Sequence, residues 1–298
     1  MKVLANDGLH KAAINALQNK GHIVLLDPIL QSDLANYINQ ENIEAILVRS
    51  ATTVRKDLID ACPNLKYIGR AGVGVDNIDV EYAKSQDRYV FNTPTASSRS
   101  VAEMVIGLIF TWSRKIHDSN QMLKDGVIGF NATKKLVSKA SYELEGKTIG
   151  IIGYGNIGKH VANLASACGL KPLVYDPQVD CEWSTAYENL LIESDFITIH
   201  VGGKAKILSK NDFEMMKSNA VIINTSRGGC IDEFDLLNAL DAGQIAGACL
   251  DVFVGEPNPS SELINHPKII VTPHVGGSTK EAQRKIGMEL VDTLQSLI

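Results

Sequence analysis

Arg227, Glu256 and His274 each follow a short apolar run and precede or flank glycine or proline. The run Ala220–Asn224 leads into Thr225-Ser226-Arg227-Gly228-Gly229, and Ala246–Leu250 leads into Asp251 and then Glu256-Pro257. Ile269–Thr272 leads into Pro273-His274-Val275-Gly276-Gly277. In open parallel sheets, ligands sit beyond the carboxyl ends of the strands. An imidazole there can take or return a proton near neutral pH. A carboxylate on its second ring nitrogen would fix the tautomer and steady the imidazolium. A guanidinium fork is shaped to hold a carboxylate. Together they suit a redox step at a carbon that carries a hydroxyl, with a base on the oxygen and an anchor on an adjacent acid group. Singly, each has a plain structural role: surface ion pair, loop charge, turn histidine. Of the seven histidines, only His274 has catalytic company.

A second set points to a dinucleotide. The apolar run Thr148–Ile152 enters Gly153-Tyr154-Gly155-Asn156-Ile157-Gly158, and an amphipathic stretch follows. Gly153 permits a tight turn, Gly155 lets the backbone approach a pyrophosphate, and Gly158 lets helix and strand pack closely. The helix N-terminus then offers free N–H groups to the phosphates. Roughly 20 residues on, where an acid on the adenosine ribose is expected, the run Pro172–Tyr175 ends at Asp176. Pro177 and Gln178 follow, with no cation for a 2′-phosphate, so NAD is expected rather than NADP.

These residues need two sheets to position them. Apolar runs at Val3–Ala5, Ile23–Leu26, Ala45–Val48, Tyr67–Gly69 and Tyr89–Phe91 alternate with helical patterns, which predicts a parallel sheet. A second series runs from Thr148 to Thr272. Between them, Ser97 to Lys124 reads as one long helix, with Ser100 and Glu103 at capping-box spacing. The segment from Ser278 reads as a terminal helix with Ser278 and Glu281 as its capping box. At about 100–200 residues per domain, 298 residues make two domains. A net charge of −5, spread along the chain, gives no footprint for nucleic acid. The longest nearly apolar run, Val105 to Trp112, is far short of the roughly 18 residues of a membrane span. No signal peptide is recognisable, and five scattered cysteines have neither zinc nor disulfide spacing, so reduced thiols, no metal and a cytoplasmic location are expected.

The stretches GYGNIG with Asp176, INTSRGGCIDEFDLLNAL, GACLDVFVGEP and VTPHVGGSTKEAQ resemble, in order, the D-isomer-specific 2-hydroxyacid dehydrogenases. The resemblance covers nearly the whole chain. It implies an α/β protein of two doubly wound parallel-sheet domains. A Rossmann cofactor domain (97–279) is inserted into a flavodoxin-like substrate domain (1–96 plus 280–298), and a homodimer forms through the cofactor domain. It implies His274 as acid/base, Glu256 as its partner and Arg227 as the carboxylate anchor. Asp251 would lie near the nicotinamide carboxamide. His200, Val201, Thr225, Ser226 and Gly276 would join the glycine turn, Asp176 and Pro177 around NAD.

Within that family, LVRSATTV and IGRAGVGVDNIDVEYA resemble the D-3-phosphoglycerate dehydrogenase branch. That places Arg49, Ser50, Arg70, Gly72, Val73 and Gly74 around the substrate, with the arginines suited to a phosphate. The expected reaction is NAD-dependent oxidation of a phosphorylated hydroxy acid, 3-phospho-D-glycerate, as in serine biosynthesis. The alternative is a dehydrogenase or reductase for an unphosphorylated acid such as glyoxylate or hydroxypyruvate, and a non-catalytic NAD-sensing protein is the remaining reading. Two features depart from the family pattern. The loop His200-Val201-Gly202-Gly203-Lys204 stands where the family reads His-x-Pro-Leu-Thr, and Ser97 and Arg99 replace the commoner Asn and apolar residue. With the sequence ending at Ile298, feedback by serine through a C-terminal regulatory domain is not expected.

Overall fold

The computed structural model describes residues 1–126, 128–203 and 205–298; Lys204 of the departing loop therefore lies outside the described residues. The chain divides into two compact units, residues 1–100 with 277–298, and residues 101–276. Each is a parallel β-sheet with helices on both faces.

In the first unit the strands are β1 (Lys2–Ala5), β2 (Ile23–Leu25), β3 (Ala45–Val48), β4 (Tyr67–Arg70) and β5 (Tyr89–Asn92). They run in the order β2-β1-β3-β4-β5, all parallel. Strand side chains alternate between faces. Leu4, Ile46 and Ile68 therefore join Leu34 and Ile38 on one side. Val3, Ala5, Ala45 and Leu47 join Ala13, Leu17, Ile286, Leu290 and Leu294 on the other. With both faces covered, β3 is apolar at every position, as buried parallel strands are.

The second unit holds β6 (Thr148–Ile152), β7 (Lys171–Tyr175), β8 (Phe196–Ile199), β9 (Val221–Asn224), β10 (Gly247–Leu250) and β11 (Ile269–Val271). Their order is β11-β10-β9-β8-β6-β7, again all parallel. Chain order reverses between β6 and β8, the switch point at which such sheets open a ligand crevice. Ile149, Ile151, Phe196, Val221 and Ile223 pack on one face, and Ile152, Ile197, Ile199, Ile222 and Leu250 on the other. Trp112 lies so close on β10 that a β-carbon at Gly247 would meet its ring at 1.9 Å.

Two helix expectations are corrected. The segment from Ser97 is two helices, Ser98–Ser113 and Ile116–Asp125. The break is at Lys115, which takes a left-handed backbone (φ 52) without being glycine. Its ammonium sits 4.0 Å from the Trp112 ring centroid and 3.8 Å from Asp118. The first of the two helices begins at Ser98, so Ser100 lies inside it and not at its cap. At the C-terminal helix Lys280–Leu297 the cap is Thr279, whose hydroxyl accepts from the Ala282 N–H at 3.1 Å, displacing Ser278 by one residue. Among the described residues, no helix is long and apolar enough to cross a membrane, and no group of three His, Cys, Asp or Glu could hold a metal.

Candidate active site

The glycine turn lies between β6 and the helix Asn156–Ala167, at the switch point. Gly153 has φ +96, and a β-carbon there would meet the His200 carbonyl oxygen at 2.6 Å. A β-carbon on Gly158 would meet the Gly153 carbonyl oxygen at 2.1 Å. Gly155 differs: nothing lies within 4 Å of its β-carbon position, so the space above its backbone is open. Asp176, after β7, accepts the Tyr154 N–H at 2.7 Å and the Gln178 N–H at 2.9 Å. It thus ties the glycine turn to the next strand and keeps unused acceptor capacity on both oxygens.

Further polar atoms are poised at the same edge. His200, just beyond β8, is pushed down to about 3 by burial and is therefore a neutral imidazole. Its Nε2 lies 2.9 Å from the Thr198 hydroxyl. Its buried Nδ1, and the buried hydroxyl of Thr225 beyond β9, have no hydrogen-bond partner in the protein. Buried polar atoms are ordinarily paired. Two orphans beside an open glycine turn fit a dinucleotide that supplies the missing partners.

Beyond β9, β10 and β11 stand the three residues singled out for chemistry. Asn224 organises the first loop: its Oδ1 accepts from the Ser226 N–H (3.1 Å) and hydroxyl (2.9 Å), and its Nδ2 donates to the Arg227 carbonyl (2.8 Å). Arg227 donates from Nη1 to the Ser226 carbonyl at 2.6 Å. A β-carbon on Gly228 would sit 2.0 Å from the Phe253 carbonyl carbon, so the loops after β9 and β10 meet backbone to backbone. From the second loop, Glu256 accepts the Phe253 N–H with Oε1 at 2.9 Å and faces His274 Nδ1 with Oε2 at 2.7 Å. The other nitrogen, Nε2, belongs to a side chain 47% exposed.

Asp251 underlies this pair. It is 1% exposed. One oxygen accepts the Thr272 hydroxyl (2.6 Å) and the Val275 N–H (2.9 Å); the other accepts the Gly276 N–H (2.8 Å). The carboxylate therefore clasps the turn that presents His274, which itself has φ 53.

In the first unit, Arg49 and Ser50 follow β3, and Arg70, Gly72, Val73 and Gly74 end or follow β4. Arg49 borders a cavity of about 260 Å³ together with Asp7, His10 and Gln283. Arg70 folds back: its Nη1 lies 3.4 Å from the Ala71 carbonyl, where a β-carbon on Gly72 would collide with it. A roomier cavity of about 710 Å³ in the second unit, bordered by Trp112, Lys147, Asp195 and Lys268, lies at the amino ends of the strands, opposite the glycine turn. Asn224, Asp7 and Asn77 are the organising residues that sequence reasoning did not single out.

Residues 106–276 match the family "D-isomer specific 2-hydroxyacid dehydrogenase, NAD binding domain". The hydroxypyruvate reductase of Thermotoga maritima is 41% identical over 98% of this chain and 97% of its own length. The D-3-phosphoglycerate dehydrogenase of Methanocaldococcus jannaschii is 38% identical over 100% of this chain, which spans 57% of that longer protein. Among solved structures, an acyclic imino acid reductase in complex with NADPH and D-Arg superposes with a TM-score of 0.86 at 28% identity, covering 100% of this chain and 97% of that one. The chain therefore belongs to the D-isomer-specific 2-hydroxyacid dehydrogenase family, with that family's NAD(P)-binding domain and its oxidoreductase chemistry on small hydroxy or keto acids.

Proposed function

We propose that the protein interconverts a small unphosphorylated 2-keto acid, of the hydroxypyruvate or glyoxylate class, and its D-2-hydroxy acid, using NAD(H) in preference to NADP(H). The observation that carries the reaction type is the 2.7 Å contact between His274 Nδ1 and Glu256 Oε2 on neighbouring strand ends. With Glu256 on Nδ1, His274 keeps Nε2 to give a proton to the keto oxygen or take one from the hydroxyl. Arg227 grips the substrate carboxylate. The nicotinamide, when bound, supplies or accepts the hydride. Asp176 receives the adenosine ribose and repels a 2′-phosphate, which favours NAD.

The substrate class is supported by the relative that matches over nearly its full length. A second reading, 3-phosphoglycerate, is favoured by one feature: Arg49 borders its cavity, and its guanidinium has no described partner. A rate panel separates the two. NADH consumption is measured with hydroxypyruvate, glyoxylate and phosphohydroxypyruvate, and NAD reduction with D- and L-glycerate and 3-phosphoglycerate. The unphosphorylated D series should lead in kcat/KM. Leadership of the phosphorylated pair would reverse the assignment.

The assembly we propose is a homodimer through the second unit. The helix Ile116–Asp125 has no buried residue, and with Phe130–Ala140 it exposes Ile116, Leu123, Phe130 and Leu136. Apolar surface of that kind marks a contact between proteins. Light scattering should give twice the chain mass.

A further inference from the structure

The loop after β3 is held by Asp7 and Asn77, which the proposed reaction does not use. Asp7 Oδ2 accepts the Arg49 N–H at 2.6 Å and the Thr52 N–H at 3.1 Å, and its Oδ1 accepts the Thr52 hydroxyl at 2.5 Å. From the other side, Asn77 Nδ2 donates to the Arg49 carbonyl at 2.8 Å and to the Thr52 carbonyl at 2.6 Å. Both ends of the loop are thus tied at N–H and at C=O, the N–H groups by a carboxylate and the carbonyls by a carboxamide. Asn6 adds a third tether, donating to Thr52 Oγ1 at 2.7 Å. Only Ser50 and Ala51 stay outside the clamp, and both are exposed.

Tying N–H and C=O of one residue restrains its φ and ψ, and with them the direction of its Cα–Cβ bond. For Arg49 this decides where a long, rotamer-rich side chain starts. Its guanidinium has no described partner that would aim it otherwise. An arginine that must be ordered during binding loses affinity to the entropy of ordering, and a fixed backbone removes part of that cost.

We infer that Asp7 and Asn77 are positioning residues for substrate binding, acting through Arg49. The inference rests on the expectation from the sequence that Arg49 takes part in substrate binding. Neither residue needs to touch substrate or cofactor.

The test uses the full-length enzyme and the best substrate of the rate panel. Asp7→Ala removes all three hydrogen bonds to its carboxylate and should raise KM about tenfold, the scale of losing hydrogen bonds to a charged group. The kcat should stay within about twofold and NADH affinity, by fluorescence titration, should not move. Asp7→Asn should fall between, and Thr52→Ser, which keeps the hydroxyl, should behave as wild type. In an Arg49→Ala background, Asp7→Ala should add nothing further, because the group it aims is gone. If Asp7→Ala misfolds, Asn77→Ala tests the same clamp from its other side, with the same KM and NADH criteria. Additive losses in the double variant, or a fall in kcat and NADH affinity along with KM, would overturn the inference and leave Asp7 a scaffold residue. If Arg49→Ala raises KM and both Asp7→Ala and Asn77→Ala do not, the inference fails and the reading of Arg49 stands. If Arg49→Ala leaves KM unchanged, that reading fails and takes the inference with it.

Discussion

His274 presents its ring from a left-handed backbone (φ 53), a conformation costing an L-residue about 1–2 kcal/mol. The Asp251 clasp on Thr272, Val275 and Gly276 offsets that cost. On the proposed mechanism, removing the imidazole takes away proton transfer and leaves the clasp. His274→Ala should therefore lose at least about 100-fold in turnover, with NADH affinity retained. Glu256→Gln keeps the shape and removes the charge beside Nδ1, so its turnover should fall by less. A His274→Ala enzyme of near wild-type turnover would remove the acid/base assignment. His200 makes a second prediction. Burial depresses it from 6.5 to about 3, so the folded state binds fewer protons than the unfolded chain. Its contribution to stability is present above pH 6.5 and is lost as pH falls toward 3. Thermal melts between those limits should fall less steeply for His200→Asn than for wild type, and parallel curves would exclude His200 as the source. The strand-end placement of Arg227, Glu256 and His274 was legible because each follows an apolar run of the second sheet, beside glycine or proline. Asp7, Asn77 and Asn224 were not, because Asp and Asn after a strand read as ordinary turn formers. What distinguishes Asp7 and Asn77 is a partner far along the chain, Thr52 or Arg49, which no local spacing announces.

The strands were the most readable elements. Fully buried parallel strands are continuous apolar runs, and β3, β8, β9 and β10 are buried at every position. Helix ends were less readable. Nothing between Ser97 and Lys124 breaks the periodicity, since the bend at Lys115 uses neither glycine nor proline. The fixing contacts are made by its own side chain, to Trp112 and Asp118. At the C-terminal helix, Ser278 and Thr279 are both acceptable caps and the sequence alone does not choose. The structure does, through Thr279 Oγ1 and the Ala282 N–H. Thr279→Ala should cost about 1 kcal/mol of stability, whereas Ser278→Ala should cost almost nothing. Denaturant melts of the two variants check this, and the reverse ranking would restore Ser278 as the cap.

At the scale of the molecule, every pairing in the two sheets is parallel among the described residues. Parallel neighbours cannot be joined by a hairpin, so each waits for a crossover to form. The first unit waits longest. One face of its sheet is covered by Ile286, Leu290, Val291 and Leu294, from the helix Lys280–Leu297. Chains usually fold from the N-terminal domain onward as they leave the ribosome. Here the reverse order is expected. Val3, Ala13 and Leu17 emerge early, yet their covering helix is translated after the whole of residues 101–276. A chain truncated before Lys280 should therefore carry a protease-resistant second unit behind a digestible N-terminal segment, whereas the full-length chain should protect both. During synthesis the exposed strands of that segment are a natural client for a holdase, and the interval of exposure is set by the time taken to translate the rest of the chain.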